Sequence, residues 1–282
     1  MISGKDVRIE NGYIIINGEK YPIVQDVSEL EAEIVKRLEI QNNAPFHNSI
    51  YRGKSHGSEV TAEQYAAIAA GTFEDMYIGD YWTIDGVNYR IAAFDYWLHC
   101  GDVECTKHHV VLVPDTNLDT QKMNDSNVTT GGYVGSKMYT SYITTARNKV
   151  ISAFGSANIL SHRQLFSNAV DGNYATSWGW YDSTIDLMSE SMVYGAPIGG
   201  KATVDSINYN IGIDNVQLPL FALDPSRITN RAYWWLRDVV SSVNFALVAN
   251  GGYAHSYGAG FSHGVRPAFG IYGGDELCIS AI

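Results

Sequence analysis

Between Val239 and Val265 the chain carries no Lys, Arg, Asp or Glu. Two segments that read as buried strands bracket this run. They are Tyr233-Trp234-Trp235-Leu236-Arg237-Asp238-Val239-Val240 and Gly264-Val265-Arg266-Pro267-Ala268-Phe269-Gly270-Ile271. The enclosed stretch holds too much Gly and Ser for a packed core run and too many aromatics for a disordered linker. Tyr, Ser, Gly, Asn and His are the side chains that antibody-like binding surfaces favour, because Tyr offers area at low entropic cost and the small polar residues adapt their hydrogen bonds. The plainer reading is a pair of surface strands joined by glycine turns such as Asn250-Gly251-Gly252. Both readings demand a β-rich frame around residues 241–263.

The rest of the chain supplies candidates for that frame. Val7, Ile9, Tyr13, Ile15, Tyr21 and Ile23 alternate with polar residues, and Asn17-Gly18 suits a tight turn, so residues 1 to about 26 read as a small β-meander. A helix is expected over 28–40, with Ser28 as N-cap, Glu31 three residues on, and a stripe of Leu30, Ile34, Val35 and Leu38. Asn42-Asn43-Ala44-Pro45 reads as a linker, which makes 1–45 a small N-terminal unit and 46–282 the main domain. Within the latter, Thr61 and Gln64 form a capping box for a helix through Ala70, ended by Gly71. Asp85-Gly86 turns a hairpin of Tyr81–Ile84 and Val87–Ile91. Residues 109–113 read as a strand and 115–135 as a loop. Helices are expected over 136–153 and 183–193. The fold class is therefore α+β.

Size and composition narrow the function. The 282 residues suffice for one large domain with a small appendage. The formal charge of −11, with no basic cluster, argues against nucleic acid as a partner. No run approaches the ~18 apolar residues of a membrane span. The first six residues lack the apolar core of a signal peptide. Three cysteines, Cys100, Cys105 and Cys278, make no disulfide framework. Synthesis in a reducing cytoplasm is the expectation.

Trp234-Trp235-Leu236-Arg237-Asp238 followed by Gly264-Val265-Arg266-Pro267-Ala268-Phe269 resembles a phage- and prophage-borne family related to the formylglycine-generating-enzyme branch of the C-type lectin fold. The stretch Ile78–Ile91, the run Leu165–Val170 and Trp180–Thr184 are similar to that family as well. The match spans roughly residues 46 to 271. The resemblance implies a C-type-lectin-like domain whose segment 241–263 corresponds to the variable region of proteins diversified by retroelements. Trp235, Leu236, Arg237, Val265, Arg266, Pro267 and Phe269 would then be scaffold. Ser242, Val243, Asn244, Leu247, Ala249, Asn250, Gly251, His255, Ser256, Tyr257, Gly260, Phe261 and His263 would be display positions. It also implies a homo-oligomer, with a trimer as the natural guess, carried on a virion, and a cell-surface protein or glycan as target. The N-terminal unit would attach it to other virion proteins.

Other constellations compete. Cys100, Cys105, His108 and His109 could bind zinc, form a short disulfide through the two cysteines, or stand as free thiols beside solvated histidines. The acidic, Asn-rich stretch 117–127 could hold Ca²⁺, though without EF-hand spacing. Asp182-Ser183 with a histidine could be drawn as a triad, and Asp102 with Glu104 as a carboxylate pair, but no elbow motif or nucleotide-binding glycine pattern accompanies them. No cofactor is expected, and the chain reads as a recognition protein rather than an enzyme. The alternatives are a structural virion component or, further off, a Ca²⁺-dependent lectin or glycan-active enzyme.

Overall fold

A computed structural model describes residues 7–10, 13–16, 19–22, 43–171, 174–200 and 216–274. The chain divides into two compact units, Met1–Gln41 and Asn42–Ile282. The first contains the expected meander: β1 (Val7–Glu10), β2 (Tyr13–Ile16) and β3 (Glu19–Pro22), paired antiparallel in that order. The helix expected over 28–40 lies outside the described residues. Residues 42–45 belong to the second unit. Asn43 caps a short helix, α1 (Ala44–His47), by accepting from the Phe46 N–H, so the segment read as a linker begins the main domain.

In the second unit α2 (Ala62–Ala69) opens with both halves of the Thr61/Gln64 capping box. Next come β4 (Tyr81–Ile84), β5 (Val87–Phe94), β6 (Val110–Pro114) and β7 (Asp119–Lys122). Asp85 and Gly86 both adopt positive φ, +50° and +77°, as a two-residue hairpin turn of this twist requires. A π-helical turn, Met138–Tyr142, leads into α3 (Thr144–Phe154). The ribbon β8 (His162–Asp171) and β9 (Tyr174–Ser183) follows, then β10 (Ile185–Leu187), α4 (Glu190–Tyr194) and α5 (Pro219–Leu223). The C-terminal strands are β11 (Trp234–Val239), β12 (Asn244–Val248), β13 (Ala254–Gly258), β14 (Ser262–Val265) and β15 (Pro267–Ile271).

Two five-stranded sheets organise these elements. One runs β10-β15-β6-β5-β4, all antiparallel. Its inner strand β6, Val-Val-Leu-Val-Pro, is buried along its whole length, which is why it reads as a continuous apolar run. The other runs β13-β12-β11-β14-β7, with β11 and β14 its parallel pair. Helix α3 buries Ala146, Val150 and Phe154, and Phe154 meets Tyr89 and Phe269 of the first sheet with ring centroids 5.0 and 5.3 Å apart. The architecture is α+β with mostly antiparallel sheets and few helices.

Two expectations change. The loop expected over 115–135 contains β7, whose sequence Asp-Thr-Gln-Lys has no apolar period because it is an edge strand with half its side chains in water. The helix expected over 183–193 is instead a strand followed by a short helix. Ile185–Leu187 pair with Phe269–Pro267, and the Ser189 side chain then accepts from the Met192 N–H to start α4. Ile185, Leu187, Met188 and Met192 are all buried, so a tertiary pairing overrides their helical spacing.

Candidate binding face

The uncharged segment forms most of the second sheet. The register opposes Trp235 to Leu247, Leu247 to His255 and Phe245 to Tyr257. Residues opposed in a ladder share a face, so these side chains project to one side. Trp234 lies beside Gly264, which places His263 on that side with Trp235. The floor is closed: Trp235, Phe245 and Leu247 are fully buried. Above it runs a continuous line of rings. Tyr253 meets His255 at 6.1 Å, His255 meets Tyr257 at 6.3 Å, and Tyr257 meets Phe261 at 4.8 Å and His263 at 5.0 Å. His263 also contacts Tyr233 at 5.5 Å and Trp235 at 4.9 Å. Tyr253, Tyr257 and Phe261 are 57 %, 38 % and 49 % exposed. Isolated exposed aromatics are ordinary, but contiguous ones mark interaction surfaces.

The frame is held by buried polar anchors. The Trp235 indole donates to the Gln121 carbonyl at 2.9 Å. Arg237 donates to the Leu187 carbonyl at 3.1 Å and lies over the Phe166 ring. Arg266 is fully covered. It donates to the carbonyls of Pro114 (2.8 Å), Arg227 (3.0 Å) and Ile228 (3.2 Å), and its guanidinium sits 4.9 Å above Trp234. Burial pulls its pKa down to about 10. Leu236, Val265, Pro267 and Phe269 are also buried. The 123–129 loop closes one side of the face: Met123 and Asn124 donate to the Ala259 carbonyl, and Asn127 accepts from the Gly260 N–H at 2.9 Å. A Cβ on Gly264 would lie 1.9 Å from the Asn117 side chain, so glycine is required there.

The display residues expected from sequence divide. Ser242, Val243, Asn250, Gly251, His255, Tyr257 and Phe261 are exposed, and Gly260 and His263 are half-buried. Leu247 and Ala249 are fully buried and leave the set. Strand β12 is interior to its sheet, and composition alone does not distinguish its small apolar residues from those of a display strand. Asn244 and Ser256 are half-buried, and their registers with Gly258 and Ala246 turn them to the opposite side of the sheet. There Ser256 lines a cavity of about 150 Å³ with Glu190, Ile198, Gly199 and Val240. Ser262, the register partner of Lys122, lies on the opposite side as well. Tyr253, the most exposed ring of the line, joins the set, as does Tyr233, which meets His263. The spacing of Tyr253, His255 and Tyr257 at every second residue after a Gly-Gly turn was the signal for it.

The rival constellations resolve into structural contacts. His109 is fully buried; its Nδ1 meets the Lys107 carbonyl at 2.8 Å and its Nε2 accepts from the Trp97 N–H at 3.0 Å. His108 Nδ1 is 2.7 Å from the Asp95 carboxylate. The Sγ of Cys100 donates to the Leu98 carbonyl and that of Cys105 to the Lys107 carbonyl, and Cys278 lies outside the described residues. Among the described residues no group of three His, Cys, Asp or Glu could hold a metal ion. Asp102 and Asp182 both grip Arg163, Glu104 pairs with His99, and the Ser183 hydroxyl donates to Asp186. Among the described residues no helix is long and apolar enough to cross a membrane. A scan against protein-family models and searches of curated proteins and of solved structures returned no match.

Proposed function

We propose that this chain is a ligand-recognition protein whose Tyr253–His263 ring line contacts the ligand. One observation carries the reading: large exposed rings on one side of a sheet whose other contacts are buried and hydrogen-bonded, in a segment without a single charge. A surface that binds through stacking and hydrogen bonds needs rigid support and no core duty of its own. Taken with the resemblance of its flanking motifs, the chain is a receptor-binding protein of a phage or prophage virion, with a C-type-lectin-like second unit. Its target is a cell-surface protein or glycan, and the N-terminal unit joins other virion proteins in a trimer.

Sequencing the 3′ end of the gene across a source population tests this. Variation should concentrate at the codons of exposed residues, Ser242, Val243, Asn250, Tyr253, His255, Tyr257 and Phe261. It should spare Leu247, Ala249 and Trp235. Variation spread evenly over exposed and buried codons would defeat the assignment of the face.

A further inference from the structure

The ring line is built around an imidazole that has no room for a charge. His263 lies among Trp235, Tyr257 and Tyr233, with centroids 4.9, 5.0 and 5.5 Å away. Its Nε2 is buried and meets no hydrogen-bond partner among the described residues. A neutral imidazole tolerates this surrounding, but an imidazolium there would carry an N–H with no acceptor.

No acidic side chain among the described residues meets the buried Nε2 of His263. Strand β11 presents Tyr233 and Trp235, and β13 presents Tyr257 with His255 beyond it. Phe261 closes the line through Tyr257. Strand β7 presents Gln121, the register partner of His263, and Asp119 two residues along the same face. The Asp119 carboxylate is already engaged by the Gln121 side-chain amide at 3.1 Å and the Thr120 N–H at 2.8 Å. Lys122 belongs to the other face. His255 lies beyond Tyr257 on the same line, and a charge there opposes one on His263.

We propose that His263 makes the binding face acid-sensitive: mild acidification charges the ring, drives it toward water and displaces Tyr257 and Phe261, so that ligand is held at neutral pH and released in acid. This rests on the reading of the face as the ligand site. The direction agrees with the electrostatics, because burial first and His255 second hold the His263 imidazole below its ordinary range. At neutral pH the ring is therefore uncharged and the face is fully assembled.

The test is aromatic and histidine carbon-13 NMR of the full chain, titrated from about pH 7.5 to about pH 5. The His263 ring should titrate below its usual ~6.5, and the Tyr257 and Phe261 ring signals should move with the same midpoint. In His263→Gln the Tyr257 and Phe261 movements should vanish; His263→Asn serves if that variant folds poorly. Rings that stay still in the parent, or that still move in the variants, would overturn the proposal. No ligand enters this measurement. Its failure would remove acid sensitivity alone, whereas the recognition reading stands or falls on the distribution of codon variation.

Discussion

Replacing Trp235 by alanine separates a frame residue from a display residue on the same side of one sheet. Its side chain is fully covered, forms the floor beneath His263, and donates to the Gln121 carbonyl at 2.9 Å. Truncating a buried Trp costs about 3–5 kcal/mol through lost transfer energy and the cavity left behind. Stranding the Gln121 carbonyl adds about 1 kcal/mol. The sum, roughly 4–6 kcal/mol, is a large part of a typical stability of about 5–15 kcal/mol. At ~2–4 °C per kcal/mol for a unit of this size, Tm should fall by on the order of 10–20 °C. Trp235→Phe keeps most of the ring and loses the hydrogen bond, so it should cost about 1–2 kcal/mol. Urea unfolding followed by far-ultraviolet circular dichroism measures both, with the slope checked for constancy. A loss below about 1 kcal/mol for Trp235→Ala would refute the reasoning. It would mean that the ring is not covered and that the face has no closed floor.

Two further predictions concern the supporting structure. His109 and His162 are buried, and burial holds both imidazoles below the ordinary range. The unfolded chain takes up protons at its ordinary ~6.5 while the folded chain does not. Stability should therefore be flat above about pH 7 and fall as the pH drops through about 6.5. A urea midpoint that rises between about pH 7.5 and about pH 5.5 would contradict this. Glu190 accepts the N–H groups of Ile198, Gly199 and Gly200 at 2.7–3.0 Å. Glu190→Ala should therefore speed amide exchange and proteolytic nicking at 198–200, with a loss of about 1.5–3 kcal/mol. Unchanged exchange there would show that the carboxylate does not anchor the loop.

What the sequence made legible follows from how local each cause is. The Thr61/Gln64 box and the Asp85-Gly86 turn act within a few residues, and both stand where the residues place them. Strand β7 was illegible because an edge strand of Asp, Thr, Gln and Lys has no apolar period, and its place is set by β14, far along the chain. Ile185–Leu187 carry a helical spacing yet take the pairing that β15 offers. The same limit governs the face. Sequence marks residues 241–263 as unusual, but a buried Leu247 and an exposed His255 differ only in which strands flank them. Glu190 is invisible for a related reason, since its partners become neighbours only after the chain turns at Gly195, which takes φ +81°.

The central claim is that the ring line binds and does not hold the fold. Tyr257→Ala combined with Phe261→Ala tests it directly, in retention of the labelled chain on bacterial cells from the source community, with thermal melting alongside. Both rings are well exposed and meet each other edge to face. Removing them should cost below about 2 kcal/mol and shift Tm by only a few degrees, while retention on cells is lost. Retention at the parent level, or a Tm drop as large as that of Trp235→Ala, would contradict the account.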